Sequence, residues 1–159
     1  MSLKKLSDFF DRVAKMVCVI MFVIMVIAAI TQVFARYVIN YPISWTEEAA
    51  RYSFIWLNIL GASIAVKHGT HAVITVIVDH IPTRLKTIIV LCVDVLVMFG
   101  GYLMLTQGVM LVTMTMNQLT PAIHIPMGYI YLSVPVSGLL IIFHKLLDFY
   151  THIPRTSID

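Results

Sequence analysis

Four long apolar stretches constrain the fold of this chain more than any other feature of its sequence. A helix needs about 20 predominantly apolar residues to cross the roughly 30 Å hydrocarbon core of a bilayer. The stretches lie at 13–37, 45–66, 85–105 and 126–147, and uncharged, helix-compatible sequence follows the third as far as 116. We therefore predict an all-α integral membrane protein, with four transmembrane helices in a single membrane domain, 1–159.

The composition excludes two broad classes of protein. Hydrophobic residues make up 60% of the chain and charged residues only 12%, whereas a soluble domain carries roughly 25% charged residues to cover its surface. The net charge of +3 comes from 11 Lys and Arg that form no basic face. We therefore expect neither a soluble enzyme nor a partner made of nucleic acid.

The positions of Lys and Arg predict the direction of insertion, because positively charged residues accumulate in cytoplasmic connections. Only Arg36 and Arg51 flank the first connection. The other nine flank the two termini and the second connection: Lys4, Lys5, Arg12, Lys15, Lys67, Arg84, Lys86, Lys145 and Arg155. Both termini are therefore predicted to be cytoplasmic.

Two shorter apolar segments accompany the predicted spans. In the amino-terminal lead, Leu3, Leu6, Phe10 and Val13 recur at three and four residues, which is typical of an amphipathic helix in the interface. The segment 69–82 is too short to cross a bilayer. Its Val and Ile content favours a strand, but an unpaired strand is not tolerated in lipid, so we predict a short interfacial helix between spans two and three.

Charged residues begin the second span, in the sequence "SWTEEAARYSFIW". Ser44 and Glu47 have the spacing of a capping box, and Glu47 and Arg51 have the spacing of a helical ion pair. Rings suited to a membrane interface follow at Trp45, Tyr52 and Trp56. We interpret these residues, with Glu48, as starting and anchoring a helix, and keep substrate binding or proton transfer as the alternative.

Two polar residues fall inside the predicted spans. Asp94 lies ten residues after Arg84, which places it ~15 Å deep at 1.5 Å per residue. An ionisable residue at such depth is a candidate proton or ion site. The structural alternative is a neutral carboxyl, or one hydrogen-bonded to a neighbouring span, and Asn58 lies at similar depth. Both interpretations stay open.

The histidines and cysteines predict no cofactor and no metal site. An intramembrane haem needs paired histidines between helices, but the six histidines lie in connections or near the ends of spans. Cys18 and Cys92 lie within apolar runs without zinc-ligand spacing, so they are interpreted as small hydrophobic residues.

Small residues mark candidate contacts between helices, because they let two backbones approach closely. They fall on the second, third and fourth spans: Gly61, Ala65, Gly100, Gly101, Ser133, Ser137 and Gly138. Pro126 suits the first position of the fourth helix. Pro135 cannot donate to the carbonyl of Tyr131 and should kink that helix.

Three segments, "WTEEAARYSFIW", "GASIAVKHGTHAVI" and "IPMGYIYLSVPVSGLLI", are similar to the small membrane subunit of tripartite ATP-independent periplasmic (TRAP) transporters, the DctQ-like family. The resemblance implies a scaffold without enzymatic activity, paired with a large multi-span subunit that moves substrate and sodium. A periplasmic binding protein delivers an organic acid in that family. Trp45, Glu47, Glu48, Arg51, Tyr52 and Trp56 match the family signature, which assigns them no catalytic role.

Two other functions compete with this expectation. One is an autonomous small proton-coupled transporter that uses Asp94, and the other is a membrane anchor for a redox enzyme. The sequence does not specify the organic acid. Nor does it say which helix faces meet the large subunit, phospholipid or the binding protein.

Overall fold

The computed structural model describes the backbone of residues 2–78 and 83–152, and the side chains of residues 5–68, 88–89 and 91–147. Its elements are α1 (Ser2–Phe34), a π-helical turn (Ala35–Ile39), α2 (Ser44–Val78), α3 (Thr83–Thr115), α4 (Gly128–Tyr131) and α5 (Ser133–His152). Among the residues with described side chains, four helical stretches are long and apolar enough to cross a membrane: Lys5–Ile39, Ser44–His68, Leu91–Thr115 and Gly128–Leu147. The predicted all-α fold with four transmembrane helices is confirmed.

The amino-terminal lead is not a separate interfacial helix, because α1 runs unbroken from Ser2 to Phe34. No Gly or Pro occurs in these 33 residues, and a helix extends easily once its first turns have formed. The helix is about 50 Å long at 1.5 Å per residue, longer than the hydrocarbon core. It ends in the π-helical turn, where Asn40 adopts a left-handed conformation and donates its amide hydrogen to the carbonyl of Ala35.

The segment after the second span is helical, but it is not a separate helix. Residues 69–78 continue α2 without interruption. Gly69 alone does not stop a helix, since glycine costs only about 1 kcal/mol relative to alanine inside one. The remainder of the predicted interfacial helix, 79–82, lies outside the described residues.

The connection between α3 and α4, residues 116–127, leads into the fourth span. We call it the outer connection, and we call the two ends of the bundle outer and inner, after the direction of insertion predicted from the sequence. α3 extends to Thr115, and an isolated antiparallel bridge then pairs Leu119 with Pro126. The expected helix start at Pro126 is therefore wrong. Pro126 belongs to the bridge and its carbonyl accepts a hydrogen bond from the amide of Tyr129 at 3.1 Å, so the helix begins at Gly128.

The fourth span is interrupted beside Tyr131, whose carbonyl receives no hydrogen bond from Pro135 because proline has no amide hydrogen. α4 ends at Tyr131, Leu132 separates the two helices, and α5 starts at Ser133. Leu132 keeps right-handed backbone angles, φ −60° and ψ −21°. The span consequently continues in nearly the same conformation beyond the interruption.

The helices pack in the order α1, α2, α5 and α3, and α1 also touches α5. A small core of buried side chains lies between α1, α2 and α5: Ala14, Cys18, Leu60 and Leu140. The Ser137 hydroxyl of α5 donates to the carbonyl of Ile59 in α2 at 2.6 Å. Large apolar side chains are exposed along α1 and α3, as expected where helices meet lipid.

Candidate functional site

Glu48 joins the start of α2 to the outer connection. Its side chain is buried, and its two carboxylate oxygens accept hydrogen bonds from the backbone amides of Ala122 and Ile123 at 3.0 and 3.1 Å. Hydrogen bonds to an ionised acceptor are roughly twice as strong as neutral ones. Glu48 therefore ties together two segments that are 74 residues apart.

Glu47 and Arg51 form a salt bridge of 2.7 Å between Oε1 and the guanidinium, and both side chains are about 60% exposed. The predicted ion pair is present. The predicted capping box is not seen: Ser44 is already the first residue of α2, and Glu47 contacts Arg51 instead. At this helix start the Thr46 hydroxyl donates a hydrogen bond to the carbonyl of Ile43 at 2.7 Å.

The three signature aromatic residues have different surroundings. Trp45 is exposed at the start of α2, while Tyr52 is half-buried and its side chain interacts with Thr120 of the outer connection. Trp56 packs against the core. Trp56 lies 12 residues after Ser44, or ~18 Å along the helix, and its predicted place at the membrane interface stays a prediction.

An open cavity of about 620 Å³ lies beside these residues. Its walls come from the α1–α2 connection, the first turns of α2 and the outer connection: Tyr41, Pro42, Ile43, Ser44, Trp45, Glu47, Glu48, Arg51, Pro121 and Ala122. Exposed aromatic rings and an exposed ion pair line the same space. The cavity can therefore receive an amphipathic or charged group from outside the bundle.

A second polar cluster clamps α1 to α2 near their inner ends, and we call it the inner cluster: Asp8, Asp11, Lys15, Lys67 and His68. Asp11 lies at its centre. The distances from Asp11 Oδ2 are 2.8 Å to Lys15 Nζ, 3.3 Å to His68 Nε2 and 3.7 Å to Lys67 Nζ. Lys67 also reaches Asp8 at 3.1 Å. The sequence interpretation used these lysines for orientation and missed the acids, although Asp8, Asp11 and Lys15 have the spacing of one helix face.

Asp94 of α3 is paired with Lys145 of α5. The distance from Lys145 Nζ to Asp94 Oδ1 is 2.5 Å. The lysine side chain is 4% exposed and the aspartate side chain 34%. Asn58 is not the partner: it is exposed and donates to the carbonyl of Phe54 in its own helix at 2.8 Å. Asp94 is thus hydrogen-bonded to a neighbouring span, but that span is α5 and not α2.

The structure gives a reference level for the Asp94–Lys145 pair. Asp94 lies 11 residues after α3 begins at Thr83, and Lys145 lies seven residues before α5 ends at His152. Phe143, two residues before Lys145, stacks edge-on against Phe10 beside the inner cluster. The pair therefore lies at about the level of the inner cluster, and the depth of Asp94 in the membrane stays a prediction.

The predicted small residues fall into a packed set and an open set. Gly101 and Gly138 bring α3 and α5 together, and a Cβ on Gly138 would lie 2.7 Å from the Gly101 carbonyl oxygen. Ser133 and Ser137 are fully buried beside Pro135. By contrast, a Cβ on Gly61 or Gly100 would meet nothing within 4 Å, and Ala65 is exposed.

Gly108 is a contact that the sequence interpretation missed. A Cβ at this position would lie 2.8 Å from Cδ of Pro135. The glycine makes room for the proline ring between α3 and α5. The signal was a glycine in an apolar helix, seven residues after Gly101 and so on the same face.

The described residues contain no group of three or more His, Cys, Asp or Glu that could hold a metal. Cys18 is buried and Cys92 exposed, and both are free thiols. Within the part of the chain that the structure describes, the polar clusters connect helices. Their geometry suits holding elements together.

Comparison with known proteins identifies the family. The family model described as "Tripartite ATP-independent periplasmic transporters, DctQ component" matches residues 25–155. A putative TRAP transporter small permease protein of Haemophilus influenzae is 29% identical over 139 residues, covering 87% of this chain and 86% of the relative. The sialic acid TRAP transporter small permease protein SiaQ of Vibrio cholerae is 27% identical over 153 residues, covering 92% and 84%.

A third relative is a longer chain. The isethionate TRAP transporter permease protein DctMQ of Oleidesulfovibrio alaskensis is 36% identical over 95 residues, which cover 58% of this chain and 15% of that protein. The family match extends over most of the sequence and includes all four spans in whole or in part. This chain therefore belongs to the DctQ family of TRAP transporter components, as a multi-pass protein of the inner membrane.

Proposed function

We propose that this chain is the small scaffold subunit of a TRAP-type secondary transporter, which takes up an organic acid together with a large membrane subunit and a periplasmic binding protein. The chain would hold the stationary part of the large subunit in the bilayer. Substrate and sodium would pass through the large subunit, and this chain would carry no cofactor and catalyse no reaction.

The observation that carries this proposal is the pairing of the ionisable groups within the chain. Asp94, the candidate ion-coupling residue, is neutralised by Lys145 at about the level of the inner cluster. Glu48 is held by two backbone amides, and the acids of the inner cluster face lysines. A proton or sodium pathway needs groups that change partners during transport, whereas these groups each bridge two elements.

The relative DctMQ supports a large membrane partner. Only 15% of that permease protein matches this chain, so in that protein a DctQ-like region is continuous with a much larger one. A separate small subunit would keep the same neighbour as an independent chain. Association through the membrane agrees with the exposed apolar faces of α1 and α3.

The orientation proposed from the sequence places both termini in the cytoplasm and the open outer cavity at the periplasmic surface. The binding protein would then approach the cavity rim, where Glu47 and Arg51 are exposed. Phospholipid headgroups would meet the exposed ring of Trp45 nearby. Removing both charges by Glu47→Ala with Arg51→Ala should lower uptake while the membrane complex still assembles.

Reconstitution tests the proposed function. The large subunit would be placed in proteoliposomes with and without this chain, together with the binding protein, a sodium gradient and an organic acid. A first panel of acids follows the names of the relatives: sialic acid, a C4-dicarboxylate and isethionate. We expect uptake when both membrane subunits are present and none from this chain alone.

Two outcomes would contradict the scaffold function. Sodium- or proton-driven uptake by this chain alone would make it an autonomous transporter, and a haem Soret band in the purified chain would favour a redox anchor. Asp94→Asn supplies the matched variant. We expect full uptake from it, whereas loss of uptake in an intact complex would show that this chain takes part in ion coupling.

A further inference from the structure

The carboxamide of Asn58 is exposed on the surface of α2. Its Nδ2 donates one hydrogen bond to the carbonyl of Phe54 at 2.8 Å. No described residue donates to its Oδ1, and its second amide hydrogen likewise has no acceptor among the described residues. The side chain therefore presents unsatisfied hydrogen-bonding groups on the outside of the bundle.

Asn58 lies well inside the predicted second span. It is 14 residues after Ser44, where α2 begins, and nine residues before Lys67 of the inner cluster, or ~21 and ~14 Å at 1.5 Å per residue. Its neighbour Ile59 accepts the hydrogen bond from Ser137, next to the Gly101–Gly138 contact between α3 and α5. Acyl chains cannot satisfy a carboxamide at this depth, and intramembrane polar side chains normally face protein or a water-filled cavity.

The surface that follows Asn58 along α2 has almost no side-chain relief, and we call it the open face of α2: Asn58, Gly61, Ala62 and Ala65. The last three follow Asn58 by three, four and seven residues and so lie on one side of the helix. A Cβ on Gly61 would meet nothing within 4 Å, and both alanines are exposed. Bare backbone of this kind permits another helix to approach closely.

The outer surfaces of α1 and α3 are different. Large side chains protrude from both, including Met16 and Ile30 on α1 and Val95 and Leu96 on α3, each more than 60% exposed. Such surfaces match disordered acyl chains. A hydrogen-bonding group well inside a predicted span, beside a bare backbone, calls for an ordered polar partner.

We propose that the open face of α2 is where a transmembrane helix of the large membrane subunit packs, with a hydrogen-bonding group of that helix meeting the Asn58 carboxamide. This inference rests on the proposed function and names the surface through which it is carried out. The partner helix would bring its backbone close to Gly61 and keep Asn58 out of lipid. The relative DctMQ, in which the matched region belongs to a longer permease chain, favours this occupant over a second copy.

α3 supplies matched controls for the exposed carboxamide of Asn58 and for the open glycine, Gly61. Gln107 is also exposed, but it lies six residues beyond Gly101, or ~9 Å nearer the outer ends of the helices. Gly100 is as open as Gly61, yet Leu96 and Leu103, four residues before it and three after it, protrude beside it. A leucine at Gly100 would lie among leucines, whereas a leucine at Gly61 would stand out from a flat surface.

The test is co-purification of the tagged full chain with the large subunit in mild detergent. Gly61→Leu should reduce the recovered large subunit by about tenfold, since overpacking a close helix contact is costly. Asn58→Leu should reduce it by about threefold, as expected for one interhelical hydrogen bond. Gly100→Leu and Gln107→Leu should recover the same amount as the unaltered chain.

A second measurement tests the same surface if Gly61→Leu or Asn58→Leu fails to fold. A photo-crosslinking amino acid at Ala62, in an otherwise unaltered complex, should label the large subunit, and the same group at Leu96 should not. Labelling of a second copy or of lipid alone from Ala62 would overturn the inference. So would full recovery with Gly61→Leu and Asn58→Leu. If the unaltered chain recovered no large subunit at all, the proposed function itself would fail.

Discussion

Lys145 of α5 donates a hydrogen bond to Asp94 of α3 across 2.5 Å, and only 4% of the lysine side chain is exposed. The contact ties α3 to the helix on which it packs. A nearly buried ammonium group requires a counter-ion, because charge transferred out of water without one is strongly destabilising. We therefore propose a structural role for Asp94, as the counter-ion of Lys145 within this span.

Replacing Asp94 alone should lower the free energy of unfolding more than replacing both Asp94 and Lys145. Asp94→Leu leaves Lys145 buried without a counter-ion and should lower the free energy of unfolding by about 2 kcal/mol; the value for a fully buried pair is discounted because Asp94 is 34% exposed. Asp94→Leu with Lys145→Met should restore most of this loss. Reversible SDS denaturation in mixed micelles measures both, and an additive double variant would contradict the role of the pair.

Glu48 should contribute much more to stability than its neighbour Glu47. Glu48→Ala removes two charge-assisted hydrogen bonds from Ala122 and Ile123, which should cost about 3 kcal/mol and leave two partly buried amides unpaired. Glu47→Ala breaks only an exposed ion pair and should cost less than about 1 kcal/mol. Equal unfolding free energies for the two variants would show that Glu48 does not hold the outer connection.

The glycines of the α3–α5 contact should tolerate no added methyl group. A Cβ at Gly138 would approach backbone atoms of Gly101 and Leu105 at 2.7 and 2.8 Å, so Gly138→Ala should separate the helices and cost about 1–3 kcal/mol. Gly100→Ala is the control, since no atom lies within 4 Å of its Cβ position. Its thermal midpoint in detergent should be unchanged or slightly raised.

The inner cluster predicts a difference between two acids on α1. Asp11 is 9% exposed and has three basic neighbours, whereas Asp8 is 62% exposed and has one. Asp11→Asn should destabilise the α1–α2 contact by about 2 kcal/mol, and Asp8→Asn by less than about 1 kcal/mol. Unfolding of both variants at high and low salt provides the measurement, and a larger loss from Asp8→Asn would contradict this arrangement.

The positions of the spans follow from the sequence because hydropathy is a property of each segment on its own. The ion pair of Glu47 and Arg51 also follows, since both residues lie on one helix at a fixed spacing. Helix ends were harder to predict. The lead before Val13 has no Gly or Pro and the segment 69–78 has only Gly69, so helical propagation extends α1 and α2 beyond the apolar stretches.

Contacts between distant segments could not be derived from spacing. Glu48 finds its partners 74 residues away in a short turn, and Lys145 pairs with Asp94 because α5 packs on α3. Spacing fixes where a residue lies along its own helix, but not which neighbouring segment its side chain contacts. The packing of Trp56 against the core therefore could not be predicted from the second span alone.

The most direct test of the central claim is the native mass and composition of the tagged chain, purified from its own membrane in mild detergent. The scaffold function predicts a one-to-one complex with a large multi-span membrane protein. A monomer or a homodimer of this chain, without that partner, would contradict it.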